Sequence, residues 1–200
     1  MNQFARHTGP ILEIGPGDGY FGEICLSVGS PYIAVERETE IGRRLIARGF
    51  PLIQASVPPI PVGEEKVAVC CLFHVLEHMA DVHQAIDLIM ETRRVLIPEG
   101  FLIVACPNYD IWGRDFFEDY THNYITNPRR VGQLLADSGF RILKTQLYSG
   151  PVFGGWRYGL LLANRLLYWR WLNRLLGGER YYNGFLTFLE CSVVVARKEK

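Results

Sequence analysis

Short apolar runs alternate with amphipathic segments along the first three-quarters of the chain. The apolar runs have the composition of strands and lie at residues 11–15, 31–38, 51–57, 66–73, 101–108 and 141–148. Apolar residues at helical spacing predict helices at residues 20–29, 38–49, 78–96 and 127–140. Because predicted strands and helices alternate along the chain, the pattern predicts an α/β fold with a mostly parallel sheet and helices on both faces. In such sheets a ligand binds beyond the carboxyl ends of the strands.

The last quarter of the chain departs from this pattern. Residues 150–186 are rich in Leu, Trp, Tyr and Arg, and residues 156–176 contain four arginines and no acid before strand character returns at residue 185. We therefore expect a single domain over residues 1–200 with an insertion at 150–186. For residues 156–176 four interpretations stay open: a lid, a core helix, a helix at the periphery of a membrane, or the face of a homodimer.

Composition narrows the class of protein. The 21 basic and 21 acidic side chains balance, which argues against general nucleic-acid binding. The 48% of hydrophobic residues is enough for a core without metals or disulfides. Five cysteines are an odd number and form no CxxC pair, which favours free thiols in a reducing cytosol. With no signal peptide or long uncharged apolar run, we expect a cytoplasmic protein, with any membrane contact peripheral.

A glycine-rich loop follows the first predicted strand, in the stretch ILEIGPGDGYFG at residues 11–22. Glycines in such a loop let the backbone turn sharply and approach a ligand closely. The dinucleotide fingerprint GxGxxG would need a third glycine at residue 20, which is Tyr20. Glu13 and Asp18 add carboxylates that would repel a pyrophosphate. The loop therefore favours a ligand with positive charge and no phosphate.

The loop resembles motif I of class I S-adenosylmethionine-dependent methyltransferases, in which a strand acid precedes G-x-G-x-G. Glu13, Gly15, Gly17 and Gly19 match that motif position by position. S-adenosylmethionine carries an amine and a sulfonium, which agrees with the acidic character of the loop. The resemblance implies S-adenosylmethionine as the cofactor.

Three later segments extend the resemblance. Residues 71–81, 93–108 and 122–140 resemble the small-molecule branch of the family, which includes ubiquinone-biosynthesis O-methyltransferases. This implies a Rossmann-like sheet of seven strands, with residues 188–198 as an antiparallel last strand beside residues 141–148. It also implies in-line methyl transfer, with O-methylation of a small-molecule or lipid-like acceptor as the first expectation.

The resemblance also implies a set of cofactor-binding residues at the strand ends. They are Glu13, Gly15, Gly17, Gly19, Glu36, Ser56, Val57, Leu72 and Phe73. Glu36 is expected to accept hydrogen bonds from the two ribose hydroxyls. Ser56 stands where the family commonly has an aspartate near the adenine amine, so we expect Val57 to pack on the ring.

Two histidines are candidates for a catalytic base. His122 is the first choice because it lies in an aromatic and acidic stretch after the fifth strand, and His74 at the end of the fourth strand is the second. A structural role for His122, ordering its loop, stays open. Residues 74–78 also match the H-x-x-E-H pattern of some zinc proteases. That pattern needs both histidines on one helix face, and here it begins at a strand end, so we expect no metal.

Two rival functions remain at this point. A nicotinamide-dependent oxidoreductase would share the fold, but the glycine spacing disfavours it. A catalytically weak or inactive protein of this fold, acting as an interaction or membrane-docking module through residues 156–176, is the other.

Overall fold

The computed structural model describes residues 9–149, 152–153, 159 and 190–199. The strands within these residues are β1 (Ile11–Ile14), β2 (Tyr32–Glu36), β3 (Leu52–Gln54), β4 (Val67–Phe73), β5 (Leu96–Pro107), β6 (Phe140–Ser149), β7 (Val152–Phe153) and β8 (Glu190–Lys198). The α-helices are α1 (Tyr20–Ser27), α2 (Thr39–Ala47), α3 (Val82–Val95), α4 (Tyr109–Trp112) and α5 (Pro128–Asp137). Two 3₁₀ turns lie at Leu76–His78 and Gly113–Glu118.

All strands belong to one sheet with the order β3-β2-β1-β4-β5-β8-β6-β7. β1 pairs in parallel with β2 on one side and β4 on the other, and β4 pairs in parallel with β5. β8 lies between β5 and β6 and is antiparallel to both. The predicted fold class, including the antiparallel last strand beside the sixth, is confirmed, and the two-residue β7 adds to the seven expected strands. Strand order reverses between β1 and β4, which creates the crevice where ligands bind in such sheets.

Both faces of the sheet are covered. Successive strand residues point to opposite faces, so Val35 joins the larger apolar core while its neighbour Ala34 joins the smaller one. The larger core includes Leu72 of β4 and Leu88 of α3, and the smaller one includes Leu45 of α2. This arrangement explains why β4 reads as a continuous apolar run rather than an alternating one.

Helix starts follow the capping residues of the sequence. The Asp81 carboxylate accepts from the Gln84 backbone N–H at 2.9 Å and caps α3, so the helix predicted at 78–96 begins at Val82, after a 3₁₀ turn at Leu76–His78. Asn127 caps α5 in the same way, with Pro128 in its first turn.

The fifth strand begins at Leu96, earlier than the predicted residue 101. Leu96 pairs with Val67, and the register then shifts before Val69 pairs with Phe101. Pro98 and Gly100 therefore lie in an irregular stretch of a strand pair, although the sequence predicts a break there.

The predicted insertion at 150–186 lies outside the described residues, apart from residues 152–153 and 159. The segment 156–176 and its four interpretations fall there too. Among the described helices, none combines the length and the hydropathy that crossing a membrane requires.

Candidate active site

A cavity of about 330 Å³ lies beyond the carboxyl ends of β1, β2 and β4. This volume is within the range of small-molecule sites, and the cavity sits where the strand order reverses. Five of the predicted site residues line it: Gly15, Gly17, Glu36, Val57 and His74. The structure therefore brings together residues that are far apart in sequence.

Two glycines of the loop, Gly17 and Gly19, have different roles. Gly17 lines the cavity with a φ of 55°, and a Cβ atom built there meets nothing within 4 Å, so open space faces its backbone. Gly19 precedes α1 and does not line the cavity; a Cβ atom there would lie 2.7 Å from Leu45 Cδ2. Gly17 thus leaves room for a ligand, and Gly19 allows α1 and α2 to approach each other.

Glu36 ends β2 with its carboxylate at the cavity wall and only 6% of the residue exposed. One carboxylate oxygen accepts from the Glu38 backbone N–H at 2.7 Å. Gln54 Nε2 donates to the carbonyl oxygens of Glu36 at 2.9 Å and Arg37 at 2.8 Å, which fixes the chain just after the strand. A carboxylate has more lone pairs than this one bond uses, so Glu36 can also accept from a ligand diol.

An apolar wall continues from Glu36. Val35, Ile41, Ala55 and Val57 all line the cavity. The predicted residue Ser56 does not, since it is exposed between two residues that face inwards. The wall therefore offers apolar contact to a flat ring, and the Ser56 hydroxyl is not part of it.

Three other predicted cofactor residues lie outside the cavity lining. Glu13 is buried, and its carboxylate accepts from the Tyr32 hydroxyl. Burial raises the pKa of Glu13, and the Tyr32 hydrogen bond lowers it by less. Leu72 is fully buried in the core, and the Phe73 ring packs edge-on against Phe21 at 5.1 Å. Glu13 and Leu72 are thus buried within the sheet, and Phe73 packs against α1.

Of the two candidate bases, His74 is the one that lines the cavity. It follows β4 with a positive φ of 56°, and 45% of its side chain is exposed. Its Nδ1 lies 3.1 Å from Glu77 Oε1, and its Nε2 lies 3.3 Å from the Tyr148 hydroxyl. Glu77 is fully buried, and burial is the largest factor that raises the pKa of Tyr148, so the phenol stays protonated. The carboxylate therefore receives the Nδ1 proton, and Nε2 accepts from the phenol.

His122, the first choice for a base, does not line the cavity. It is only 9% exposed, its Nδ1 lies 2.8 Å from the Phe116 carbonyl oxygen, and its ring packs 4.8 Å from the Phe116 ring. Its neighbour Thr121 reaches the cavity instead. The aromatic residues before His122 were expected to form a substrate wall. Two of them, Trp112 and Phe116, are instead buried against the His122 ring.

Several residues that line the cavity are not among those predicted from the sequence. They are Ile14, Val35, Arg37, Ile41, Ala55, Val75, His78, Met79 and Thr121. Most directly precede or follow a residue that was predicted, so an expectation of whole strand-end segments would have included them. Thr121 adjoins the predicted His122, but its loop is not a strand end, and only the tertiary fold brings that loop to the cavity.

Comparisons with known proteins agree with this geometry. The profile of a family described as "Methyltransferase domain" matches residues 2–145. A Mycobacterium tuberculosis protein named "Probable S-adenosylmethionine-dependent methyltransferase" is 30% identical over 147 residues, which are 70% of this chain and 52% of that protein. The chain thus spans about half the length of this curated relative.

Two solved structures share the fold. A SAM-dependent methyltransferase from Archaeoglobus fulgidus has a TM-score of 0.66 and 16% identity, covering 95% of this chain and 86% of that one. An N-methyltransferase from Haemonchus contortus, in complex with phosphomonomethylethanolamine and S-adenosylhomocysteine, has a TM-score of 0.64 and 11% identity, covering 96% and 49%.

The cavity fits the cofactor that these proteins are named for. Open space faces the Gly17 backbone, Glu36 presents a carboxylate for a diol, and apolar side chains such as Val57 offer a surface for a planar ring. With a family match over most of its length and this sheet order, the chain belongs to the class I S-adenosylmethionine-dependent methyltransferase domains.

Proposed function

We propose that this protein transfers a methyl group from S-adenosylmethionine to a hydroxyl oxygen of a small-molecule or lipid-like acceptor. The observation that carries the choice of oxygen is His74, which lies at the cavity with its imidazole held between Glu77 and Tyr148. The resemblance of residues 71–81, 93–108 and 122–140 to the ubiquinone-biosynthesis O-methyltransferase branch supports the same choice.

The protein's own groups hold the donor. Glu36 accepts from the ribose hydroxyls, Gly15 and Gly17 let the backbone approach the methionine part, and Val57 packs on the adenine. S-adenosylmethionine, when bound, supplies a methyl group on a positively charged sulfur. The protein mainly has to align donor and acceptor, exclude water and remove a proton.

His74 is suited to remove that proton. A neutral hydroxyl loses a proton when its oxygen becomes an ether, and a positioned imidazole can take it. The buried Glu77 carboxylate holds the Nδ1 proton, so the lone pair lies at His74 Nε2, where an acceptor hydroxyl would take the place of the Tyr148 hydroxyl. The acceptor O–H bond breaks towards Nε2, the oxygen pair forms the new bond to carbon, and the old carbon–sulfur pair stays on sulfur. His74 thus replaces His122 as our proposed base.

Residues 156–176 support the lipid-like part of the proposal through their composition alone. Arginine between Leu and Trp suits a surface that meets lipid head groups, or a face that pairs with a second copy. Both remain proposals for that segment.

Isothermal titration with S-adenosylmethionine and S-adenosylhomocysteine tests the cofactor, with NAD as the control ligand. Micromolar binding of the first two and none of NAD is expected. A folded protein that binds neither methionine-derived ligand would refute the proposal in favour of a docking module, and selective NAD binding would favour an oxidoreductase.

His74→Gln tests the base. With radiolabelled S-adenosylmethionine and a panel of phenols, catechols and hydroxy acids, we expect kcat to fall by about 10²- to 10⁴-fold while cofactor affinity stays unchanged. His83→Gln, an exposed histidine on α3, is the matched control. Full activity of His74→Gln on every accepted substrate would remove His74 from the mechanism.

A further inference from the structure

Three side chains beside the cavity form a cluster. Apart from the contact of Glu77 with His74, the cluster has no role in the proposed proton transfer. Glu77, His78 and His122 each present a potential ligand atom, and these atoms lie within 4.8 Å of one another. The two imidazole rings lie 4.9 Å apart between centroids. Glu77 and His78 come from the 3₁₀ turn after β4, whereas His122 comes from the loop before α5.

The hydrogen bonds of both histidines leave the same nitrogen with a lone pair. His122 Nδ1 lies 2.8 Å from the Phe116 carbonyl oxygen, which can only accept, so Nδ1 carries the proton. Thr121 Oγ1 donates its one proton to Asp119 Oδ1 at 2.6 Å, so it accepts from His78 Nδ1 at 2.9 Å. Nε2 is therefore unprotonated in both rings. A metal-binding histidine is usually held in this way. The ring nitrogen that does not bind the metal donates to a backbone carbonyl or to a carboxylate, either directly or through another group.

Glu77 supplies an independent observation. The residue is fully buried, and its Oε1 is engaged with His74 Nδ1. Its Oε2 is buried and has no hydrogen-bond partner among the described residues. A buried carboxylate oxygen without a partner is costly, and a cation beside it would remove that cost.

The donor set indicates the class of cation. Two imidazole nitrogens and one carboxylate oxygen are the ligands of many zinc sites that keep a fourth position open. Magnesium and calcium prefer oxygen ligands alone. The five cysteines compete poorly for such an ion, since all are buried and burial raises the pKa of Cys70, for example, to about 12.

We propose that Glu77, His78 and His122 hold a zinc-type divalent cation at the wall of the cavity. His78 and Thr121 line that wall, so a cation held by these residues would lie next to the cavity. Resting on the proposed function, a cation held there would polarise the acceptor's hydroxyl and make its proton easier for His74 to remove. The H-x-x-E-H pattern pairs His74 with His78, which gave no reason to expect a metal, whereas the fold places His78 beside the distant His122.

Equilibrium dialysis with Zn²⁺ alone, without cofactor, tests the site, and Co²⁺ absorption spectra report its ligands. We expect one equivalent of Zn²⁺ in the wild type and an affinity lower by at least about 10- to 100-fold in His78→Asn and in His122→Asn. His83→Asn is the matched control and keeps full binding. Millimolar Mg²⁺ should not displace Zn²⁺; displacement would overturn the zinc-type assignment.

Circular dichroism and cofactor titration on each variant separate the two proposals. His78 is only partly buried, so His78→Asn decides the matter if His122→Asn fails to fold. Cofactor binding without Zn²⁺ binding, or Zn²⁺ binding that survives in His78→Asn, overturns the metal site and leaves the proposed function intact. Zn²⁺ binding that depends on His78, in a protein that binds no cofactor, supports the site and overturns the proposed function.

Discussion

Replacing Glu36 with glutamine is the sharpest test of how the cavity holds its cofactor. The carboxylate accepts from the Glu38 backbone N–H at 2.7 Å and ends β2 at the cavity wall. Glutamine keeps one acceptor oxygen for that N–H, but it loses the negative charge and offers an NH₂ group where a second oxygen stood. The ribose diol would then lose a charge-assisted acceptor while the strand end stays in place.

The size of the effect follows from that difference. Hydrogen bonds to a charged group contribute about 1.5–3 kcal/mol, which corresponds to an affinity loss of about 10- to 150-fold. Glu36→Gln should unfold within about 0.5 kcal/mol of the wild type, because the Glu38 bond is kept. Glu36→Ala loses that bond as well, and it should cost about 1–2 kcal/mol of stability besides the lost affinity.

Isothermal titration of wild type, both Glu36 variants and Glu38→Gln measures this directly. Glu38 lies two residues further on with its side chain 60% exposed, so the same chemical change there should alter Kd by less than about twofold. Wild-type affinity in Glu36→Gln, or an equal loss in Glu38→Gln, would show that Glu36 does not hold the diol.

Two further predictions concern the frame beneath the loop. Gly19→Ala places a methyl group 2.7 Å from Leu45 Cδ2 at a φ of 83°, so urea unfolding should show a loss of about 1–3 kcal/mol; an unchanged midpoint would contradict the packing role. Burial raises the pKa of Glu13 above its ordinary value of 4.5, so the unfolded chain ionises first and stability falls as pH rises above that value. Glu13→Gln cannot ionise, so its stability relative to the wild type should increase between pH 4 and pH 8. A difference that stays constant across this range would show that Glu13 does not titrate as argued.

Most of the sheet was predictable from the sequence because its signals are local. Buried parallel strands are short apolar runs, and helices between them carry apolar residues at helical spacing. The loop after β1 is also marked locally, by glycines at residues 15, 17 and 19. Each has a positive φ, which the turn itself requires regardless of the rest of the fold. The antiparallel placement of β8, in contrast, came from the family resemblance rather than from its own residues.

The choice between the two candidate bases could not be made from sequence. His122 lies in an aromatic stretch that looks like a substrate wall, yet the fold turns it towards Phe116. His74 reaches the cavity because Glu77, three residues on, and Tyr148, on a different strand, hold its two nitrogens. A pattern in the sequence identifies side chains that can act as bases, but the tertiary fold decides which of them lies at the cavity.

The sequence by itself determined the alternating sheet, the glycine loop and the acid at the end of β2, since each depends on residues close together in the chain. The tertiary structure alone decided that Leu72 is buried in the core, that Phe73 packs on Phe21 and that His74 lines the cavity. It also decided that His122 meets His78 across 44 residues of sequence. The contact between His78 and His122 depends on how the loop before α5 packs against the turn after β4, and no local pattern encodes that packing.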